Sequence, residues 1–300
     1  MSKSFSRFTS VAASGLLALF LTTPVWAGPI GYSITRGFDF LMPPVPSELR
    51  TIDLMTGVVT TVGPTGVTGE HDFEGLDFSP SGELFASEDS GGDIYRINVA
   101  TGAATLVGNT GLDFLGNSGL AFRSDGTLFL ITDGGGEDGA RLYTVNTATG
   151  AATVVGDLTL DTLSSIAFAP DGTLFAIDPD NDFLVTINPT TAAISNVGVL
   201  GLGVAIDDQQ GLDFDSSGTL FLMSENPFAV YTVDTTTGVA TLSTTLTKVF
   251  PGPMDEGFID FESLAIPTAR SSAIPAPGTL ALLGLGLLGL GAVRRRGRRA

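Results

Sequence analysis

One motif returns five times along this chain and limits its fold more than any other feature. Leu49-Arg50-Thr51-Ile52-Asp53 precedes Thr56-Gly57, Ile94-Tyr95-Arg96-Ile97-Asn98 precedes Thr101-Gly102, and Leu142-Tyr143-Thr144-Val145-Asn146 precedes Thr149-Gly150. The fourth copy, Leu184-Val185-Thr186-Ile187-Asn188, has Ala192 at the glycine position; the fifth, Val230-Tyr231-Thr232-Val233-Asp234, precedes Gly238. The Asx positions stand 45, 48, 42 and 46 residues apart. Such a period means a solenoid, a propeller or an array. A second motif alternates with the first. It runs from Gly75-Leu76-Asp77-Phe78 to Leu84-Phe85, from Gly119-Leu120-Ala121-Phe122 to Leu128-Phe129, from Ile166-Ala167-Phe168 to Leu174-Phe175, and from Gly211-Leu212-Asp213-Phe214 to Leu220-Phe221.

Each unit therefore holds two hairpins. Asp125-Gly126 and Asp171-Gly172 supply the residues that a tight turn needs, and the Thr-Gly of the first motif ends a slightly longer one. Adjacent apolar pairs such as Leu84-Phe85 and Leu128-Phe129 bury both faces of a strand, which a sandwich with one wet face does not require. Four strands in about 45 residues is the arithmetic of a propeller blade. Phe261-Glu262-Ser263-Leu264-Ala265-Ile266 copies Phe73-Glu74-Gly75-Leu76-Asp77-Phe78, yet no partner strand follows it. The missing partner is at the other end, in Gly31-Tyr32-Ser33-Ile34-Thr35. The expected fold is all-β: a five-bladed β-propeller of four-stranded blades, in which residues 261–266 pair with residues 31–36 and close the ring without a covalent bond.

The two ends read differently from the repeats. Residues 1–27 carry Lys3 and Arg7, an apolar stretch from Val11 to Leu21, and Val25-Trp26-Ala27 before Gly28. This is the pattern of a secretory signal peptide. Its apolar stretch is shorter than the roughly 17 to 25 residues a membrane-spanning helix needs. Residues 28–270 form the propeller domain, and residues 271–300 form a tail. Pro275 and Pro277 open that tail, Thr279 to Val293 carries no charge, and Arg294, Arg295, Arg296, Arg298 and Arg299 close it. A short apolar helix over 279–293 with a basic stop on its cytoplasmic side is expected.

At these residues the chain resembles the PEP-CTERM tail, the signal that exosortases recognise in Gram-negative bacteria that make extracellular polysaccharide. The run from Gly278-Thr279-Leu280 to Gly286-Leu287 and the terminal arginines carry the resemblance, and Ala276 departs from it, because the family has Glu between the two prolines. The resemblance implies an exosortase-like processing enzyme as partner, transient or lasting attachment to the inner membrane, and a destination at the cell envelope or surface. It covers the tail and leaves the propeller's role open.

Charge narrows that role. The propeller domain holds all 32 acids but only half of the 14 basic residues. This argues against nucleic acid or anionic lipid as a partner of the domain, since both demand a basic footprint. The absence of cysteine excludes thiolate metal sites and disulfides. Most acids fall in the longer connections between strands, on one face of the ring. Calcium takes six to eight oxygen ligands, so Asp178-Pro179-Asp180-Asn181-Asp182 is the first candidate cluster for it, and Glu88, Asp89 and Asp93 form the second. Asp178, Asp180 and Asp182 do not make an EF-hand, because Phe183 stands where that loop needs glycine. Glu74, Glu262 and Gln210 begin innermost strands and are expected at the mouth of the central channel, the default place for a ligand.

Two classes of function follow. The first is a non-catalytic surface or matrix protein that binds a glycan, a cation or an envelope protein through its acidic long-loop face. The second is a glycoside hydrolase with Glu74, Glu262 and Asp208 as its carboxylates. The only histidine, His71, would have to serve any Ser-His-Asp hydrolase, and no Gly-x-Ser-x-Gly sequence is present.

Overall fold

The computed structural model describes residues 28–36, 46–67, 72–112, 116, 118–133, 140–160, 162–202, 210–225, 227–246, 261 and 263–267. The signal peptide, the sorting tail, His71, Asp208 and Glu262 lie outside the described residues, as do the side chains of Gln210 and Glu225.

Five antiparallel sheets follow one another along the chain. The first contains β1 (Ile30–Thr35), β2 (Glu48–Asp53) and β3 (Val59–Pro64); the second β4 (Gly75–Phe78), β5 (Leu84–Ser87), β6 (Asp93–Ile97) and β7 (Ala104–Asn109). The third contains β8 (Gly119–Phe122), β9 (Leu128–Thr132), β10 (Arg141–Val145) and β11 (Ala152–Asp157); the fourth β12 (Ile166–Phe168), β13 (Leu174–Asp178), β14 (Phe183–Ile187) and β15 (Ile194–Val199). The fifth contains β16 (Gln210–Phe214), β17 (Leu220–Glu225), β18 (Phe228–Val233) and β19 (Ala240–Thr245). No helix occurs among the described residues.

The apolar pairs explain why these strands form blades rather than separate hairpins. Leu84 and Ala86 point one way, into a cluster with Ile34 and Leu49 of the first blade. Phe85 points the other way, into a cluster with Leu120 and Leu128 of the third. A strand packed on both faces needs a neighbour on each side, and the chain supplies one at every seam. Further clusters join blade three to four and four to five. The last joins blade five, through Phe221, Met223 and Val230, to Ile52, Leu54, Phe261 and Leu264 of blade one.

The ring closes as the repeats require. The Tyr32 amide donates to the Ala265 carbonyl at 2.8 Å, and the Ala265 amide returns the bond to the Tyr32 carbonyl at 2.9 Å. With the antiparallel bridge between Thr35 and Phe261, the C-terminal segment becomes the innermost strand of blade one. Four strands in each of five blades result, with no inner edge left open.

A second, outer contact repeats around the rim. In each blade the fourth strand carries a bulge opposite the third, just before the motif's tyrosine position, as between Ile94 and Tyr95, Leu142 and Tyr143 or Val230 and Tyr231. A bulge bends and twists the strand. Beyond it a glycine lies against the Thr-Gly turn of the following blade: Gly63 against Gly102, Gly108 against Gly150, Gly198 against Gly238. At the closing seam Gly57 packs on the Thr245 carbonyl. Gly102, Gly150 and Gly238 all have left-handed φ, at 82°, 79° and 83°, so glycine there answers both conformation and space. Ala192 takes the same conformation, at 59°. Main-chain bonds reinforce three of the seams: Ala104 N to Thr65 O, Ala152 N to Thr110 O, and Ala240 N to Leu200 O, at 2.8, 3.0 and 2.9 Å.

Candidate functional site

The ring has two unlike faces. Tight turns such as Ser79–Glu83 and Asn98–Ala103 lie on one; the second-to-third-strand turns and the longer connections between blades lie on the other. At the long-loop end, a buried polar residue stands at or next to the end of each second strand: Thr35, Glu88, Thr132, Asp178 and Ser224, one per blade. Glu74, Ser118 and Ser164, at the start of the innermost strands, are buried as well. The mouth is thus lined by polar groups taken out of bulk water, a costly arrangement unless they are bonded.

Several of those bonds are local. Glu88 accepts from the Ser90 and Gly91 amides at 3.1 and 2.9 Å, and from the Ser90 hydroxyl. Asp178 accepts from the Asn181 amide at 3.1 Å and from its side-chain nitrogen at 2.9 Å. These carboxylates cap the turn between second and third strands, as the Thr35 hydroxyl does for Glu48 N at 3.2 Å. Asp182, at a left-handed φ of 58°, accepts from the Gly201 amide at 3.1 Å. Asp180 is exposed. Asp93 accepts from the Asn109 side chain at 2.7 Å. Asp178 and Asp182 therefore face different partners, and the three carboxylates do not form a converging group.

One group does converge. Asp72, Glu74 and Asp89 each offer a carboxylate oxygen within 4.8 Å of the other two, the only such trio among the described residues. Two of its members, Glu74 and Asp89, stand among the acids singled out by spacing; Asp72 joins them because the residues before β4 fold back onto the end of β5, with Asp89 N donating to Asp72 O at 3.1 Å. Arg36, from the corresponding position of blade one, pairs with Asp72 at 2.8 Å. Burial pushes the Asp89 carboxyl above its ordinary value, Glu88 adds to the rise, and a Ser90 amide and Arg36 oppose it. Arg36 thus offsets part of the negative charge that the three carboxylates bring together.

Deeper in the channel is a pair that spacing alone did not single out. Asp77 and Asp213 occupy the third position of the Gly-Leu-Asp-Phe motif, where the other blades have Ala121, Ala167 and Ala265. Asp77 accepts from its neighbour Phe78 N and from Phe122 N of the next blade, both at 2.6 Å. Asp213 accepts from Phe214 N at 2.7 Å and from Ile266 N at 2.5 Å. Each carboxylate thus clamps two adjacent innermost strands. Asp77 is enclosed by protein with little surface left exposed, and burial pushes its carboxyl up to about 7 against the two amide bonds. Asp213 is raised well above its ordinary value, first by burial and then by the charge of Asp77. An acid replacing alanine in a buried repeat position was the available signal.

Comparison with known proteins adds an address and a fold. Residues 273–296 match the PEP-CTERM protein-sorting motif, so the chain is an exosortase-sorted propeller protein with a membrane-anchored route to the envelope. No curated protein matches the sequence. Among solved structures, the nidogen/laminin complex contains a chain matched over 98% of its length and 79% of this one, at 14% identity and a TM-score of 0.53. Virginiamycin B lyase from Staphylococcus aureus is similar at 16% identity and a TM-score of 0.43 over 69% of this chain, which spans 64% of the lyase chain. A Bacteroides caccae protein of unknown function is matched over its full length and 81% of this chain, at 12% identity and a TM-score of 0.47. Identities this low speak to the propeller fold alone.

Proposed function

We propose that this protein is a non-catalytic component of the cell surface or extracellular matrix that binds its ligand through the acidic long-loop mouth, with a calcium ion as part of the recognition. The observation that carries the reading is the convergence of Asp72, Glu74 and Asp89 within 4.8 Å. Crowded carboxylates repel one another, and a hard divalent cation relieves that repulsion while accepting their oxygens. Arg36 already offsets part of the charge, so affinity belongs in the range of extracellular modules, about 10⁻⁴ to 10⁻³ M.

Ten millimolar calcium at a dissociation constant near 1 mM stabilises the folded state by about 1.4 kcal/mol, a rise in melting temperature of about 3 to 6 °C for a domain of this size. Sodium at matched ionic strength is the control, because screening alone also relieves repulsion. Asp89→Asn should remove the calcium-specific rise. Equal stabilisation by calcium and sodium, or a rise that survives Asp89→Asn, refutes the cation reading. Retention of the domain on the polysaccharide fraction of a Gram-negative envelope, lost on adding a chelator, tests the ligand class.

A further inference from the structure

We infer that a cleft between blades two and three, on the short-turn face, binds one neutral sugar ring at a second site on the side of the ring away from the acidic mouth. Nothing in it depends on calcium at that mouth. The tight turns of the two blades leave a cleft of about 280 Å³, with Phe85 and Phe122 at its floor and Glu83, Arg96, Ser124 and Thr147 among the groups around them. The two rings meet edge to face, 5.2 Å between centroids.

Two of these residues break the repeat. Where Glu83 stands, blades three, four and five have Thr127, Thr173 and Thr219; where Arg96 stands, they have Thr144, Thr186 and Thr232. Strand pairing gives the same correspondence, because Arg96 lies opposite Phe85 as Thr144 does opposite Phe129 and Thr186 opposite Phe175. An acid just before β5 and a base on β6 have thus entered one blade together. Stability is a poor reason for the pair. Arg96 Nε and Glu83 Oε1 are 3.6 Å apart with both side chains about half exposed, beyond hydrogen-bond range and where an ion pair contributes little.

What remains is bonding capacity. The Arg96 guanidinium lies over the Phe85 ring, 5.2 Å from its centroid, and donates to the Thr147 carbonyl of blade three at 3.4 Å, so it spans the cleft. Among the described residues Glu83 accepts from the Ser81 hydroxyl alone, also at 3.4 Å. Both bonds are long. Asp125, by contrast, is engaged by Arg123 at 2.6 Å and by the Thr127 amide at 3.0 Å. The cleft therefore presents a carboxylate that accepts beside a guanidinium that donates, and a hydroxyl does both. One hydroxyl, or two on adjacent carbons, answers the pair.

Charge and size narrow the ligand further. Glu83 offsets Arg96 and Asp125 offsets Arg123, so the site gives no advantage to a phosphate or a metal ion. Its volume of about 280 Å³ is below the roughly 300–1,000 Å³ of pockets that enclose drug-sized ligands, which suits a single pyranose with its C–H face toward the Phe122 ring. An extended peptide needs a groove or sheet edge several residues long.

The full chain is held in a polyoxyethylene detergent, which carries no sugar, with a chelator throughout so that no calcium-dependent contact contributes. Saturation transfer from the protein to the methyl pyranosides of glucose, galactose, mannose, fucose and N-acetylglucosamine is read by NMR. Transfer to at least one of them is expected, with a dissociation constant on the order of millimolar. The double variant Glu83→Thr/Arg96→Thr installs the residues of the other blades, so it should keep its melting temperature and bind about ten-fold or more weakly. Glu83→Gln, which keeps the side chain's shape, should weaken binding several-fold. No transfer to any of the sugars from folded protein, transfer undiminished in either variant, or transfer to the tripeptide Gly-Ser-Ala in place of the sugars overturns the inference.

Discussion

The rim contact between blades makes a quantitative claim about Gly238. A Cβ at this position would stand 2.5 Å from the Gly198 carbonyl oxygen, 2.6 Å from its carbon and 2.9 Å from its Cα. Ordinary contact begins near 3.4 Å, and the opposing atoms are main chain, so they cannot rotate away. Gly238→Ala therefore incurs two costs. The left-handed backbone, with φ at 83°, costs an alanine about 1–2 kcal/mol, and forcing the seam apart costs about 1–3 kcal/mol. The lower entropy of the unfolded alanine chain offsets about 0.4–1 kcal/mol. The net is about 1–5 kcal/mol, a fall of roughly 2–20 °C in melting temperature at 2–4 °C per kcal/mol. Gly172→Ala separates the two costs, because Gly172 has φ at 89° and a Cβ added there meets nothing within 4 Å. It should lose only about 1 kcal/mol. Differential scanning calorimetry of both variants decides the matter, and equal losses would show that the seam yields freely and that the contact is not a constraint.

Two more predictions concern the channel and the clasp. Asp77 and Asp213 have carboxyls raised above their unfolded values, so their contribution is fully present below the unfolded pKa near 3.8 and is lost as pH rises through about 7 for Asp77. The melting temperature should fall between pH 5 and pH 8, and the double variant Asp77→Ala/Asp213→Ala, which copies the other blades, should flatten that slope; an unchanged slope would remove the pair as its cause. Deleting residues 258–270 takes away the innermost strand of blade one and exposes the edge of β1 and the inner side of blade five, so cooperative unfolding should be lost or aggregation should set in. A sharp, unshifted transition in the truncated protein would contradict closure.

The architecture was readable because each of its determinants repeats. Five copies of an Asx-opened turn, four of them ending in glycine and spaced by one blade, and apolar doublets that need neighbours on both faces leave little room for another fold. The orphaned copy at Phe261 and the unmatched strand at Gly31 fixed the clasp in advance. Carboxylate spacing was less informative. Asp178, Asp180 and Asp182 are close in sequence, yet a tight turn sends their side chains apart, and Asp178 is consumed by Asn181. The trio that does converge brings Asp72 and Glu74 to Asp89 across a hairpin, and only the hairpin's register makes them neighbours. Asp77 and Asp213 differ from the repeat consensus in plain view, but their mutual influence depends on where blades two and five stand around the axis.

The seams between blades repeat one kind of contact, the main chain of a fourth strand laid on the next blade's turn, whether or not a peptide connects the two blades directly. At the closing seam the partners come from opposite ends of the domain, and Gly57 still meets Thr245. Such a circle has no built-in starting point. The gap between Ile30 and Ile266 marks where the chain happens to be cut, and any other tight turn on the same face could serve as the cut. Joining Ile266 to Ile30 by a short turn and opening the chain at Asp125-Gly126 or Asp171-Gly172 would preserve every seam, so a permuted gene encodes the same ring. Interchangeable seams also mean that a whole blade can be copied or exchanged as a cassette, with the angle of the wedge, rather than any side-chain code, limiting how many fit in the circle.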